Sequence, residues 1–183
     1  MKKWYLYISI FIQLGGISFA QEKWIEKDGF VSFFSSAPLE DIKAESNSVV
    51  SILDLEKNNA QVLMKISSFD FPKKLMQEHF NENYMESHKF PTSKLTAELP
   101  EDFINELSET KKEFDIQAKL LIHGVEKDYN IKAFFSKTED QIRAESKFKV
   151  RVADHQIKIP KIVFKKIAEV VEVTAQLTWE KKK

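Results

Sequence analysis

The 183 residues carry 28 basic and 28 acidic side chains, are 43% hydrophobic, and include 4 Gly, 5 Pro and no Cys. That length suits one domain with a sizeable core, and the mix of apolar and charged residues belongs to a folded chain. Zero formal charge argues against a surface that neutralises a nucleic-acid backbone, so no nucleic-acid partner is expected. Without Cys, disulfides, thiolate zinc sites and cysteine nucleophiles are excluded together.

Lys2 and Lys3 precede an apolar run from Trp4 to Ile12, broken only by Ser9. Ser18-Phe19-Ala20 then places small residues at −3 and −1 of a cleavage point. The run is shorter than the ~20 apolar residues of a membrane-spanning helix, and it reads as a secretory signal peptide over residues 1–20. The expectation is a periplasmic or secreted domain over residues 21–183, cleaved near Ala20, slightly acidic and without a stable membrane anchor. With no disulfide available, its stability must come from packing.

Period-two alternation, the mark of strands with one buried face, recurs along the rest of the chain. Val31 and Phe33 flank Ser32, although Phe30 and Phe34 blur that face. Ile42 and Ala44 follow, then Val62, Met64 and Ile66, then Leu95 and Ala97. Beyond these come Ile116, Ala118 and Leu120; Tyr129, Ile131 and Ala133; Ile142, Ala144 and Phe148; and Val171, Val173 and Ala175. That makes about eight strands, with a further short one over Val49–Leu55. Asn58-Asn59, His123-Gly124 and Thr138-Glu139-Asp140 are turn signals at hairpin intervals, so the sheet is expected to be antiparallel.

One segment has helical spacing instead. After Pro72, Met76, Phe80 and Tyr84 recur every fourth residue, predicting a helix over Lys73–Tyr84 that Phe90-Pro91 ends. A shorter helical turn is expected around Ile162–Ala168, after Pro160. Many short strands with one helix leave a sandwich or a closed barrel. Ala44, Ala97, Ala118, Ala133, Ala144 and Ala175 sit mid-face on six strands, which suits a hollow centre. A tapered, filled core with Ala opposite Phe is the alternative.

The polar residues suggest little chemistry. His79, Glu82, Glu86 and His88 are close in sequence but do not supply three or four converging ligands, so they read as a polar helix face and loop; no metal or cofactor is expected. No nucleophile elbow is present, and Asp154-His155 reads as part of a polar turn. Arg143 and Arg151 are the only arginines, which limits bidentate phosphate clamps. Lys73-Lys74 at the helix start could meet an anionic head group, although such pairs are commonly solvated.

Two stretches resemble the YceI-like family of secreted bacterial proteins. One is Met76-Gln-Glu-His79-Phe80-Asn-Glu-Asn-Tyr84-Met85-Glu-Ser-His88-Lys89-Phe90-Pro91, similar to the family's helix and its Lys-aromatic-Pro step into a strand. The other is Leu120-Leu121-Ile122-His123-Gly124-Val125-Glu126-Lys127, similar to the family's strand and Gly-Val hairpin. Phe30-Val31-Ser32-Phe33 and Val171-Glu-Val173-Thr-Ala175 fit at either end, and Ser35-Ser36-Ala37-Pro38-Leu39 departs from the family's His-Leu-Gly type step. The resemblance implies an all-β, eight-stranded, lipocalin-like antiparallel barrel with one helix over its mouth, holding a polyisoprenoid or similar long-chain amphiphile.

The expected function is therefore a non-enzymatic lipid-binding protein. Its lipid-contacting set is Val31, Phe33, Ile42, Ala44, Val62, Met64, Ile66, Leu95, Ala97, Ile116, Ala118, Leu120, Ile131, Ala133, Ile142, Ala144, Phe148, Val171, Val173 and Ala175. Met76, Phe80 and Tyr84 would cover one end. A packed-barrel interaction protein without ligand is the alternative, followed by a lipid- or glycan-directed enzyme using His79, His88 or His155. An open edge strand would favour a homodimer.

Overall fold

The computed structural model describes residues 23–36, 39–159 and 168–181. The signal peptide expected at 1–20 and all but the last residue of the turn expected at 162–168 lie outside the described residues. Eight strands follow one another as β1 (Lys23–Ser35), β2 (Ile42–Asp54), β3 (Asn59–Lys65), β4 (Thr92–Glu98), β5 (Lys112–Ile122), β6 (Val125–Lys137), β7 (Gln141–Arg151) and β8 (Val170–Lys181). Each pairs antiparallel with the next, and β8 returns to β1, so the sheet is a closed up-and-down barrel. Among the described residues no strand is left as a free edge, which removes the edge argument for a homodimer.

Closure is irregular at β1. Its register to β2 shifts on either side of Gly29, and its ladder to β8 is interrupted between Ile25 and Phe30. Glu26 fills the interruption: Oε1 accepts the N–H groups of Lys27 (2.7 Å) and Asp28 (2.8 Å), and Oε2 accepts that of Thr178 on β8 (2.7 Å). β2 changes phase at the same level. Ala44 and Ser46 are buried, Asn47 and Ser48 are both exposed, and burial resumes at Val49, Ser51 and Leu53. The separate short strand expected over Val49–Leu55 is therefore the second half of β2, displaced in phase by a bulge.

The interior is filled at one end only. Trp24, Leu53, Phe103, Phe114, Phe135, Ile142 and Trp179 form a packed floor, each at most 6% exposed. Phe103, on the short helix α2 (Phe103–Glu106) that the alternation did not reveal, packs its ring 5.1 Å from Phe114 and 4.9 Å from Phe135. The other end is roofed by α1 (Lys74–His79), which widens into a π-helical turn over Phe80–Tyr84. The expected regular helix thus loosens midway. The Asn81 side chain donates to the Gln77 carbonyl (2.9 Å), competing with the backbone for that acceptor, and Met85 N–H reaches back to Phe80 (2.8 Å).

The β5–β6 hairpin turns on His123 (φ 50°) and Gly124 (φ 74°), the two left-handed residues a tight primed turn needs. A Cβ on Gly124 would stand 2.7 Å from the Phe90 ring. Gly124→Ala should therefore destabilise the fold by about 1–3 kcal/mol, read as a lower urea midpoint at unchanged slope. An unchanged midpoint would show that the hairpin relaxes away from Phe90.

Candidate functional site

Between floor and roof lies a cavity of about 560 Å³. Small residues create it: Ala60, Ala97, Ala118, Ala133, Ala144 and Ala175 line its wall on six successive strands. Phe135, Leu177 and Trp179 are its base. Its upper end is aromatic, with the Phe33 ring 5.5 Å from Phe80, 5.1 Å from Phe69 and 5.9 Å from Phe71.

The structure brings most of the sequence-derived set to this cavity. Val31 and Phe33 of β1, Ile42 of β2, Val62 and Met64 of β3, and Ile66 just beyond it reach the wall. So do Leu95 and Ala97 of β4, Ile116, Ala118 and Leu120 of β5, and Ile131 and Ala133 of β6. Ala144 and Phe148 of β7 join Val171, Val173 and Ala175 of β8, and Met76, Phe80 and Tyr84 reach it from the roof. Ala44 and Ile142 do not. Ala44 is buried opposite Phe33, and Ile142, fully buried opposite Trp179, belongs to the packed floor.

Several lining residues were left out of the sequence-derived set. Phe135, Leu177 and Trp179 simply continue faces already marked at Ala133 and Ala175, and Ile122 continues that of Leu120. Val49 was hidden by the β2 bulge. Phe69 and Phe71 lie in an irregular segment between the turn Ile66–Ser68 and α1, where only tertiary pairing places them: Glu45 and Asp70 exchange backbone hydrogen bonds at 3.1 and 2.8 Å.

Polar groups in the wall are few and committed. Ser35 Oγ accepts the Ala168 N–H (2.9 Å), Ser93 Oγ donates to the Leu121 carbonyl (2.8 Å), and Ser146 Oγ donates to the Lys132 carbonyl (2.9 Å). At the rim, Lys73 Nζ is 2.6 Å from Glu40 Oε1, with His79 also on the lining. Lys73 is thus ion-paired rather than merely solvated. Burial raises the Tyr84 phenol above its ordinary value.

His155 belongs to a turn, as the sequence suggested, and is buried there. The turn Val152–His155 tucks it to 0% exposure, where Nδ1–H donates to the Val125 carbonyl (3.0 Å) and Nε2 accepts from Tyr129 Oη (2.8 Å). The two rings stack 5.9 Å apart, 5° from parallel. Desolvation holds the imidazole below its usual pKa and therefore neutral, and together with the Asp154 charge it holds Tyr129 above its own. Of the residues considered as metal ligands, Glu86 turns to His123 instead, at 3.1 Å. Among the described residues no group of three or more His, Asp or Glu converges on a metal position.

The family model described as the YceI-like domain matches residues 29–179. The chain belongs to this family. Solved structures share the barrel. The polyisoprenoid-binding domain of Saccharophagus degradans superposes at TM-score 0.77 with 14% identity, covering 88% of this chain and 99% of that one. BcnA of Burkholderia cenocepacia gives 0.67 at 13% identity, covering 82% and 95%, and the YceI protein of Campylobacter jejuni 0.54 at 13%, covering 100% and 99%. Curated proteins give no sequence match. In this YceI-like barrel the two stretches that carry the resemblance meet in space, with Phe90 packed on His123 at 4.4 Å between ring centroids.

The neutral His155 has a consequence for stability. The unfolded chain binds its proton at about pH 6.5, above the depressed folded value, so the contact contributes fully above that pH. The contribution is lost as pH falls through the folded value. The urea midpoint should fall between about pH 7.5 and about pH 5, and His155→Gln should be less stable at neutral pH with a shallower decline. A parental slope in the variant would show that other groups carry the pH dependence.

Proposed function

We propose that this protein is a periplasmic or secreted carrier that holds a long-chain isoprenoid or similar amphiphilic lipid inside the barrel. The observation that carries the reading is the hollow itself. It is about 560 Å³, within the ~300–1,000 Å³ of small-molecule sites, and is walled by aliphatic and aromatic side chains. Burial supplies the affinity, at ~0.8 kcal/mol for each methylene taken out of water. The few wall hydroxyls already serve the backbone, so they do not compete for an apolar chain. The S. degradans neighbour is named as polyisoprenoid-binding, which supports the same ligand class here. Lys73, Glu40 and His79 put polarity at the rim, where an amphiphile's head would rest while its chain runs toward Trp179.

Secretion rests on the leader pattern at residues 1–20. The binding role needs no catalytic group. His155 is sealed in its Tyr129 contact, and His79 stands at the rim.

Native mass spectrometry of protein purified without detergent, followed by organic extraction, tests the reading. An apolar species at near-equal stoichiometry is expected, and added polyprenyl chains should raise the melting temperature. Ala118→Trp and Ala144→Trp each put an indole into the hollow and should abolish uptake in a folded barrel. Full binding by both folded variants would overturn the cavity as the site.

A further inference from the structure

A polar node on the roof of the cavity has no part in holding an apolar chain. Glu86 follows the wide turn after α1, His123 is at the tip of the β5–β6 hairpin, and His155 closes the turn after β7. Their neighbours Met85, Ile122 and Ile157 line the cavity, so the node ties together three pieces of its roof.

The node presents an acceptor to each nitrogen of the His123 ring. His123 Nδ1 is 3.2 Å from the His155 carbonyl oxygen, and Nε2 is 3.1 Å from Glu86 Oε2. A carbonyl and a carboxylate only accept, so both bonds form together only when both ring nitrogens donate, and only an imidazolium carries two N–H groups. Glu86 remains a carboxylate because its other oxygen holds the Lys89 ammonium; that contact, and then the His123 bond, keep it below the usual carboxylate range. On the remaining packed elements, Asp154 and Lys127 act on the His155 imidazole with opposite sign, and that ring is neutral.

The backbone supplies an independent observation. Among the described residues four non-glycines have positive φ; two are in this node, Glu86 (42°) and His123 (50°), and a third, Gln156 (58°), directly follows His155. Such conformations persist where surrounding bonds enforce them.

We infer that Glu86, His123 and the His155 carbonyl form a proton-dependent latch on the cavity roof. It is closed while His123 is an imidazolium and opens when that proton leaves. A neutral ring keeps only one of the two bonds and turns a lone pair toward the other acceptor. The segment from Met85 to Phe90 then loses its tie to the hairpin, and the cavity exchanges its contents. As a statement about ligand release it rests on the carrier reading: a lipid is retained in more acidic surroundings and released in more alkaline ones.

Two measurements test the latch. The first uses the ligand-free protein. Nitrogen NMR of the imidazoles should show both His123 nitrogens protonated at the acidic end of a range from about pH 5 to about pH 9. Amide exchange of Ser87, Lys89 and Phe90, corrected for its intrinsic rate, should speed up on the order of tenfold through the same titration. His123→Asn, which suits the left-handed backbone, should exchange at the fast level throughout. A singly protonated His123 over the whole range, or exchange in the parent protein that ignores its titration, would overturn the latch.

The second follows release of all-trans-retinol, a fluorescent isoprenoid alcohol. Release should accelerate with pH in the parent protein and be fast and flat in His123→Asn. Retinol that binds but leaves at a pH-independent rate would also overturn the proposal. If neither retinol nor a polyprenyl chain binds at all, the carrier reading fails, and the first measurement still decides the latch.

Discussion

Closing the sheet between β1 and β8 is the constraint on which the rest depends. A closed sheet gives every strand a neighbour on each side and leaves an interior that only side chains can fill. The sequence fills one end with two Trp and three Phe, and answers with alanine on six strands. A void persists there because the wall is hydrogen-bonded and the floor is packed: neither can move in to collapse it. Glu26 matters for the same reason. It replaces ladder bonds where the β1–β8 seam is interrupted, and Gly29 beside it leaves room for the Leu177 side chain, which a Cβ would approach to 2.6 Å.

Much of this was legible because a barrel wall is a simple code. With a buried face at period two, marking one Ala or Ile on a strand marks its face, and β4 to β8 keep their phase from end to end. The reading failed where phase breaks. The exposed pair Asn47-Ser48 split β2 into two apparent strands and hid Val49. It also failed on depth, since alternation reports which way a side chain points and not how far along the axis it stands. Ile142 points inward like Ala144 yet lies in the floor.

Residues outside the strands were the least legible. Phe69 and Phe71 have no periodic neighbours, and their positions come from the Glu45–Asp70 bridge. The spacing of Met76, Phe80 and Tyr84 correctly marked one face, but not the widening that Asn81 introduces. The sequence put His155 in a polar turn without a sign of its depth. Its burial depends on Tyr129, twenty-six positions away, which no local pattern reveals.

Polar and apolar functions are therefore separated in space. Apolar burial is non-directional, so the wall alone selects for bulk and length rather than for a particular chemical group. Length is bounded below by Phe135 and Trp179, whose rings stack 6.3 Å apart, and above by the Phe33, Phe69 and Phe80 cluster. Directional chemistry is confined to the rim pair Lys73–Glu40 and to the roof node at His123. A change in the wall should alter which chains fit, whereas a change at the node should alter when they leave.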